Sequence, residues 1–449
     1  MRSFKNISSD LNEQVPNEWE VTKLNLIANL RRGPFGGALK VDSFVPEGYA
    51  VYEQQHAIHK KLSNIRYFID EKKYKEMRVF KVEENDILLS CSGTIGESVI
   101  IPTKYKEGII NQALLRIRLI RPDINIGYFK YFMDSFLFQT LITDNSHGSA
   151  MKNIASMNVI NKIPVPVPSE DEQEKIVLIL NWKLKVLDRT IDMKYKILEL
   201  LDQQRQSIIT EAVTKGLNPN VKMKDSGVEW IGEIPEHWKV KKIKHFATHV
   251  GSGKTPSGGS EVYLDEGVPF IRSLNVHFDG IRLKDLVFIS EDTNAEMKSS
   301  QVQPLDILLN ITGASIGRTA IVPKDFGRAN VNQHVCIIRL NKKKMYPYYF
   351  NMLMASDVIN QQIWFAQNGS SREGLNFIQV KELKFAMPPT IEEQREINDW
   401  VFNKQKTIYD VMSTIKEQIE KLKEYRQSLI YEAVTGKIDV RDMELDEVR

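Results

Sequence analysis

Segments in the second half of this chain answer segments in the first at an offset of about 220 residues, and no other feature constrains the fold so tightly. Val15-Pro16-Asn17-Glu18-Trp19 is answered by Ile234-Pro235-Glu236-His237-Trp238, and Asp86-Ile87-Leu88-Leu89-Ser90-Cys91-Ser92-Gly93 by Asp306-Ile307-Leu308-Leu309-Asn310-Ile311-Thr312-Gly313. One residue inserted in the following loop moves the register. It then holds from Gly96/Gly317 through Asn111-Gln112/Asn332-Gln333, Gly148/Gly369 and Gln173/Gln394 to Arg205-Gln206-Ser207/Arg426-Gln427-Ser428. So long a period means two copies of a whole domain rather than a solenoid. A chain of 449 residues is also too long for one ordinary core.

Within each copy the character of the sequence changes once. Residues 16–168 and 235–389 hold short apolar stretches broken by Gly, Pro, Asn and Ser, such as Asp86–Ser90 and Ser98–Ile101, the pattern of strands and tight turns in a mixed α/β globule. After Pro164, Pro166 and Pro168, and again after Pro388-Pro389, breakers become rare. Ser169 with Glu172, and Thr390 with Glu393, have capping-box spacing, so helices are predicted over 169–217 and 390–437. The first carries Ile176, Leu180, Leu184, Leu187, Ile191, Tyr195, Leu198, Leu201, Ile208 and Ala212 at steps of mostly three and four. The second carries Ile397, Val401, Ile408, Met412, Ile415, Ile419, Leu422, Leu429 and Ala433, and Gly216 and Gly436 stand where each should end. Helices on the order of 45 residues, about 65 Å long, have little to pack on except each other. Because the first leads out of one globule and the second starts from the other, a compact molecule requires them to run antiparallel. The expected fold is therefore α+β: two similar α/β globules joined by two long antiparallel coiled-coil helices, with a pseudo-twofold axis and the globules at opposite ends of a stiff spacer. Residues 1–15 read as an N-terminal extension, 218–234 as a linker and 438–449 as a C-terminal tail. Half-sites on one face of a duplex lie about 34 Å or more apart, so DNA with a divided target fits such a spacer. Other bivalent partners fit the geometry as well.

Composition narrows the class. Lys and Arg exceed Asp and Glu by only 3 charges, so attraction to phosphate must come from local clusters. Cys91 and Cys336 each sit in an apolar segment without a partner at disulfide or metal spacing, which points to a reducing, cytoplasmic setting. Met1 to Asp10 has no apolar core behind its basic start, and no apolar run reaches bilayer length, so neither export nor a membrane span is expected.

Over essentially its whole length the chain resembles the specificity subunit of type I restriction-modification systems. The most specific match is Met223-Lys224-Asp225-Ser226-Gly227-Val228-Glu229-Trp230-Ile231-Gly232-Glu233-Ile234-Pro235-Glu236-His237-Trp238, which is similar to the family's lead-in to a target recognition domain. Supporting it are Gly267-Val268-Pro269-Phe270-Ile271-Arg272, the Asp-Ile-Leu-Leu segments with their Ile95-Gly96 and Ile316-Gly317 turns, Glu172-Gln173 and Glu393-Gln394, and the Arg-Gln-Ser runs followed by Glu-Ala-Val at both helix ends. The resemblance implies that each globule is a target recognition domain reading one half of a split double-stranded DNA target. It implies too that the helices dock two modification subunits, which methylate adenine with S-adenosylmethionine, and that ATP-using restriction subunits join them to cleave. The first copy lacks the Asp-Ser-Gly-Val-Glu-Trp lead-in, and its Arg31-Arg32-Gly33-Pro34-Phe35-Gly36-Gly37 is unlike Gly251-Ser252-Gly253-Lys254-Thr255-Pro256. Two different half-sites, hence an asymmetric target, are expected.

Catalytic motifs are weak by comparison. Gly251-Ser252-Gly253-Lys254-Thr255 mimics the end of a phosphate loop, but Thr248 stands where a glycine is needed, and Pro256 and Gly258-Gly259 oppose a helix starting at the lysine. Glu296-Met297-Lys298 has the spacing of a nuclease pair without an accompanying metal-binding Asp. Met387-Pro388-Pro389-Thr390 has the prolines of an amino-methyltransferase tetrad without its polar head or aromatic, and no Gly-rich cofactor loop follows a strand. His245/His249 is the one histidine pair at i, i+4, in strand-like surroundings. The expectation is a subunit with no catalytic centre, metal or cofactor of its own. A nuclease or methyltransferase with divergent motifs, or a scaffold that binds only protein, are the alternatives.

Base edges are read by Arg, Lys, Asn, Gln, Ser and Thr from loops, while other basic groups hold phosphates. The candidates in the first globule are Arg31, Arg32, Lys60, Lys61, Ser92, Thr94, Lys152 and Asn153. In the second they are Lys254, Thr255, Arg272, Asn275, Thr312, Ser315, Arg318, Ser371 and Arg372. Each also fits a solvated loop residue or a turn hydrogen bond. Asn111-Gln112 and Asn332-Gln333 recur in both copies, which suits a role in the shared fold better than sequence choice.

Overall fold

The Asp-Ile-Leu-Leu segments recur because each supplies the central strand of a domain and the charge that pins it. In a computed structural model that describes residues 2–8, 11–143, 154–368 and 374–441, the chain divides into two units, Met1–Lys194 with Glu417–Arg449, and Tyr195–Lys416. In the first, β1 (Ala28–Arg32), β2 (Ile87–Ser90), β3 (Ser98–Ile100) and β4 (Leu114–Leu119) form an antiparallel sheet in the order β1-β4-β2-β3. Every residue of β2 is buried. Successive side chains of a strand point to opposite faces. Ile87 and Leu89 accordingly join a core with Trp19, Phe129, Phe132 and Phe138, while Leu88 joins another with Tyr52, Ile101 and Leu114. Asp86, fully buried, accepts from Arg118 Nε and Nη2 at 2.6 and 2.7 Å and from the Glu83 amide at 2.6 Å. A carboxylate out of water needs such partners.

The second unit repeats this arrangement. There β5 (Ala247–Ser252), β6 (Ile307–Asn310), β7 (Thr319–Ile321) and β8 (Val335–Leu340) take the order β5-β8-β6-β7. Ile307 and Leu309 feed one cluster and Leu308 another, and Asp306 is held by Arg339 at 2.9 and 2.7 Å. Each unit adds a mixed three-stranded sheet, Tyr49–Tyr52 between Phe68–Ile69 and Gly108–Ile110, and Val268–Ile271 between Val287–Ile289 and Asn330–Val331. In each, a two-stranded ribbon brings the end of the domain back to its start: Glu20–Lys23 pairs with Pro164–Val167, and Lys239–Lys242 with Lys384–Met387.

Three segments differ from the expected boundaries. Phe4–Ser8 and Leu11–Pro16 form a hairpin whose Ile7 and Val15 lie in the first core, so residues read as an extension belong to the unit. Met223–Asp225 with Glu233–Pro235 is its counterpart, and Ile231 and Ile234 are buried in the second core. Val440 is likewise buried. Isolated apolar residues, Ile7, Val15 and Ile234, carry these short strands inward although the flanking sequence is polar.

The long helices are α1 (Glu170–Lys215) and α2 (Ile391–Val434). Glu172 N donates to Ser169 Oγ at 3.4 Å and Glu393 N to Thr390 Oγ1 at 3.1 Å, so the Ser/Thr half of each capping box forms. Gly216 and Gly436, with φ of 71° and 70°, close the two helices in the left-handed region as expected. In the first unit Ile176, Leu180 and Leu184 share a cluster with Leu429, Ala433 and Val434, and Arg426 Nε meets Asp188 Oδ1 at 3.1 Å. In the second, Ile209, Ala212 and Val213 share one with Ile397 and Val401. Within each unit, then, the two helices run antiparallel. Tyr195, read as part of the packed stripe, is instead 49% exposed.

Candidate nucleic-acid interface

Antiparallel pairing gathers chain reversals at one end of each four-stranded sheet. In the second unit Ser252 faces Cys336, Asn310 faces Val335 and Leu309 faces Thr319. Three segments therefore leave from that end: the run after β5 with Lys254 and Thr255, the β6–β7 turn with Thr312, Ser315 and Arg318, and the Asn332–His334 turn before β8. Arg272 joins them, because Asn332 N donates to the preceding Ile271 O at 3.1 Å. In the first unit Arg32 faces Leu115, Leu114 faces Ser90 and Leu89 faces Ser98. Arg31, Arg32, Ser92, Thr94 and the Asn111-Gln112 turn meet at the same end. Exposed Lys60 and Lys61 come too, as Lys60 Nζ lies 3.6 Å from Glu97 Oε2 in the β2–β3 turn.

The backbone of this end is common to both units. Asn111 Oδ1 accepts from Ala113 N at 3.0 Å, and Asn332 Oδ1 from His334 N at 3.2 Å, so these repeated asparagines shape the turn. Gly33 N donates to Leu114 O at 2.9 Å, and Gly253 N to the equivalent Val335 O at 3.4 Å and also to Asn332 O at 3.1 Å. A Cβ at Gly33 would collide with Asn111 O, and one at Gly253 with Val331 O. The two segments that look unlike in sequence are thus one structural element. What differs is what it carries: Arg31 and Arg32 stand where the second unit has Gly251 and Ser252, and Glu97 stands where it has Arg318.

Several candidates are placed otherwise than expected. Arg31 and Arg32 lie at the end of β1 rather than on a loop. Asn275 is fully buried; its side chain accepts from Arg272 N at 3.0 Å and donates to Arg282 O at 3.0 Å, so it shapes the loop and cannot reach a base. Arg272 sits over the Tyr263 ring at 5.7 Å and donates to Asp285 O at 2.7 Å. Thr312 bonds His334 Nδ1 at 2.5 Å, and Ser315 Oγ accepts from Asn310 Nδ2 at 3.0 Å. Exposed Lys254 and Thr255, and Arg318, which makes no ion pair among the described residues, keep their polar groups available. Lys152, Asn153, Ser371 and Arg372, with Gly148 and Gly369, lie outside the described residues. Leu375 N donates to Ile311 O at 2.8 Å, so Leu375 itself lies beside the same turn. Phe35, 75% exposed with the Arg32 guanidinium 5.6 Å over its ring, and Glu97 are features of this end that reading each copy separately misses. Aligning the copies position by position exposes the second, since a carboxylate there answers a guanidinium.

The catalytic look-alikes dissolve in the geometry. Gly251 and Ser252 end a strand, and the next turn is a short 3-10 helix, Gly259–Val262, so no helix begins at Lys254. Glu296 ends a short helix and Lys298 begins a separate 3-10 turn. Pro388-Pro389 simply joins the strand Lys384–Met387 to α2. Burial pushes the Cys91 and Cys336 thiols up to about 12, away from nucleophilic thiolate. Among the described residues no group of His, Cys, Asp and Glu is arranged to hold a metal ion, and no helix is long and apolar enough to cross a membrane.

Comparison with known proteins places the chain in a family. The profile of the type I restriction modification DNA specificity domain matches twice, over residues 16–203 and 235–426, and the chain belongs to that family. It is 24% identical over 436 residues to the type I restriction enzyme MjaVIII specificity subunit of Methanocaldococcus jannaschii, covering 96% of this chain and 95% of that one. It is 25% identical over 372 residues to the type I restriction enzyme EcoBI specificity subunit of Escherichia coli, covering 80% and 74%. Among solved structures, a chain from work on complex assembly and conformational transition of the type I R-M system superposes with a TM-score of 0.66 at 14% identity, covering 94% of this chain and 99% of that one.

Proposed function

We propose that this chain is the subunit that gives a type I restriction-modification complex its DNA sequence specificity, and that its two units read the two different halves of one asymmetric, divided target. The observation that carries this is the pairing of a shared backbone arrangement with unlike side chains: arginines answered by Gly251 and Ser252, and Glu97 by Arg318, at the same end of corresponding sheets. A guanidinium donates to guanine O6 and N7 whereas a carboxylate accepts from cytosine N4, so such exchanges change the base preferred. Both units exposing these groups on a shared scaffold is what a divided, non-palindromic target requires.

The chain contributes recognition, and its partners contribute chemistry. S-adenosylmethionine and ATP belong on modification and restriction subunits, not on this chain. Along α1 a second apolar stripe faces outward, Leu178, Trp182 and Val186 in the first unit and Ile197 and Leu200 in the second, all exposed. Exposed apolar residues at helical spacing suit a helical partner, and two modification subunits are the partners assigned to them. The site of action is the cytoplasm, where DNA is reached.

The test is to express the chain with its modification partner in a host lacking both and to map methylated adenines. A single bipartite, non-palindromic motif is expected. A palindromic motif, or methylation without sequence preference, overturns the reading, and a purified chain that alone cuts or methylates DNA replaces it with an enzyme.

A further inference from the structure

At the other end of the second unit's sheet lies a basic groove that the reading of DNA does not use. Lys239 and Lys241 stand two apart on the strand Lys239–Lys242 and so share a face. Lys343 and Lys344 follow β8, and the four lysines with His237 line a groove of about 450 Å³ floored by Phe246, Met387 and Pro388. None of these four lysines makes an ion pair among the described residues. Glu393, the carboxylate at the edge, is taken up by His237 at 3.1 Å and Trp238 at 2.8 Å. The first unit carries opposite charges at two of the four equivalent positions and neutral Thr22 and Pro122 at the other two. Glu20 answers Lys239, Asp123 answers Lys344, and both are neutralised by Arg121, at 2.8 and 2.5 Å. The fold therefore does not require this cluster of like charges, which raises the local potential without an internal counter-ion.

We infer that this groove docks an acidic polypeptide segment of a partner protein, carboxylates on the lysines and interspersed apolar side chains on Phe246, Met387 and Pro388. The six-residue β5 separates the groove from the base-reading turns by about 20 Å, so a duplex seated on the turns leaves the groove free; to that extent the inference rests on the proposed DNA-reading end. The apolar floor suits a peptide, since a phosphate backbone offers nothing to bury there. The first unit's neutralised counterpart gives such a segment no equivalent site, so docking distinguishes the two halves of an otherwise repeated chain.

The test uses the full chain and a fluorescein-labelled peptide of Glu-Glu-Leu repeats, with a Gln-Gln-Leu peptide as control, followed by anisotropy. Binding of the acidic peptide alone is expected, weakened roughly tenfold or more in the Lys239→Glu/Lys343→Glu/Lys344→Glu variant. Target-DNA affinity of the complex with modification subunits should change less than about twofold, which also shows that the variant folds. No binding to the unaltered chain, or equal binding to the variant, overturns the inference. So does a variant that loses DNA affinity while keeping the peptide, because the groove then holds phosphate. If the unaltered complex itself shows no sequence-dependent DNA binding, the DNA reading fails separately.

Discussion

The indole of Trp238 donates through Nε1 to Oε1 of Glu393, 155 residues away, at 2.8 Å, and Trp19 repeats the bond to Glu172 at 3.0 Å. Each joins the start of a recognition domain to the first turn of the helix leaving it. Capping-box spacing predicts that the glutamate turns back to its own helix; the tryptophan takes it instead. Arg2 adds a second partner for Glu172 at 2.5 Å. A carboxylate in the first turn is also favoured by the helix dipole.

Trp238→Phe keeps most of the ring's burial and removes the donor, so a cost of about 1–2 kcal/mol is expected. Trp238→Ala adds a cavity and should cost about 3–5 kcal/mol. Denaturant midpoints of the two variants check the order; a Trp238→Phe midpoint equal to that of the unaltered chain would mean that the hydrogen bond contributes nothing.

Asp306→Ala strands Arg339 beside a buried strand end, and Asp86→Ala takes the buried partner from Arg118, which keeps Glu83 Oε2 at 2.6 Å. Losses of about 3 kcal/mol are expected, toward the low end for broken buried pairs because both arginines keep some solvent. A double variant, Asp306→Ala with Arg339→Met, should recover part of the loss in thermal melting.

Gly436→Ala should destabilise by more than Gly313→Ala. Both glycines have positive φ, 70° and 73°, which costs an alanine about 1 kcal/mol. At Gly436 the new methyl also meets Pro16 Cγ at 2.5 Å and Trp19 Cη2 at 3.0 Å, whereas at Gly313 nothing lies within 4 Å. Comparing melting temperatures separates the steric part from the conformational one.

Gly33→Ala and Gly253→Ala force the backbone of one reading end apart and leave the other alone. Mapped methylation should relax in one half of the motif for the first variant and in the other half for the second. Relaxation of both halves by either variant would contradict independent reading.

Both thiols should be inert in the folded protein and should link stability to alkaline pH. Burial raises Cys91 and Cys336 from 9.0 to about 12, while the unfolded chain ionises near the ordinary value. Their contribution is complete below pH 9 and is lost as pH rises toward 12, at up to about 1.4 kcal/mol per unit for each thiol. Urea midpoints should fall over that range, less so in a Cys91→Ala/Cys336→Ala variant. Iodoacetamide should modify neither thiol until the chain unfolds.

Duplication, the ends of the long helices at Gly216 and Gly436, the antiparallel packing and the membership of a DNA-specificity family are all legible in the sequence. Each rests on local signals: apolar periodicity, a cap three residues from its partner, a glycine where the chain must turn left-handed. The proposed reading end was half legible. Lys254, Thr255 and Arg318 could be named by type, but the burial of Asn275 depends on which backbone passes over it. The equivalence of Gly33 and Gly253 depends on a neighbouring turn about 80 residues further on. Trp238 with Glu393, Asp306 with Arg339 and the unneutralised lysines beside Phe246 were decided only by the tertiary structure. Hydrogen bonds and charges act over a few ångströms in space, and spacing along the chain does not state which distant residues the packing of the core will bring that close.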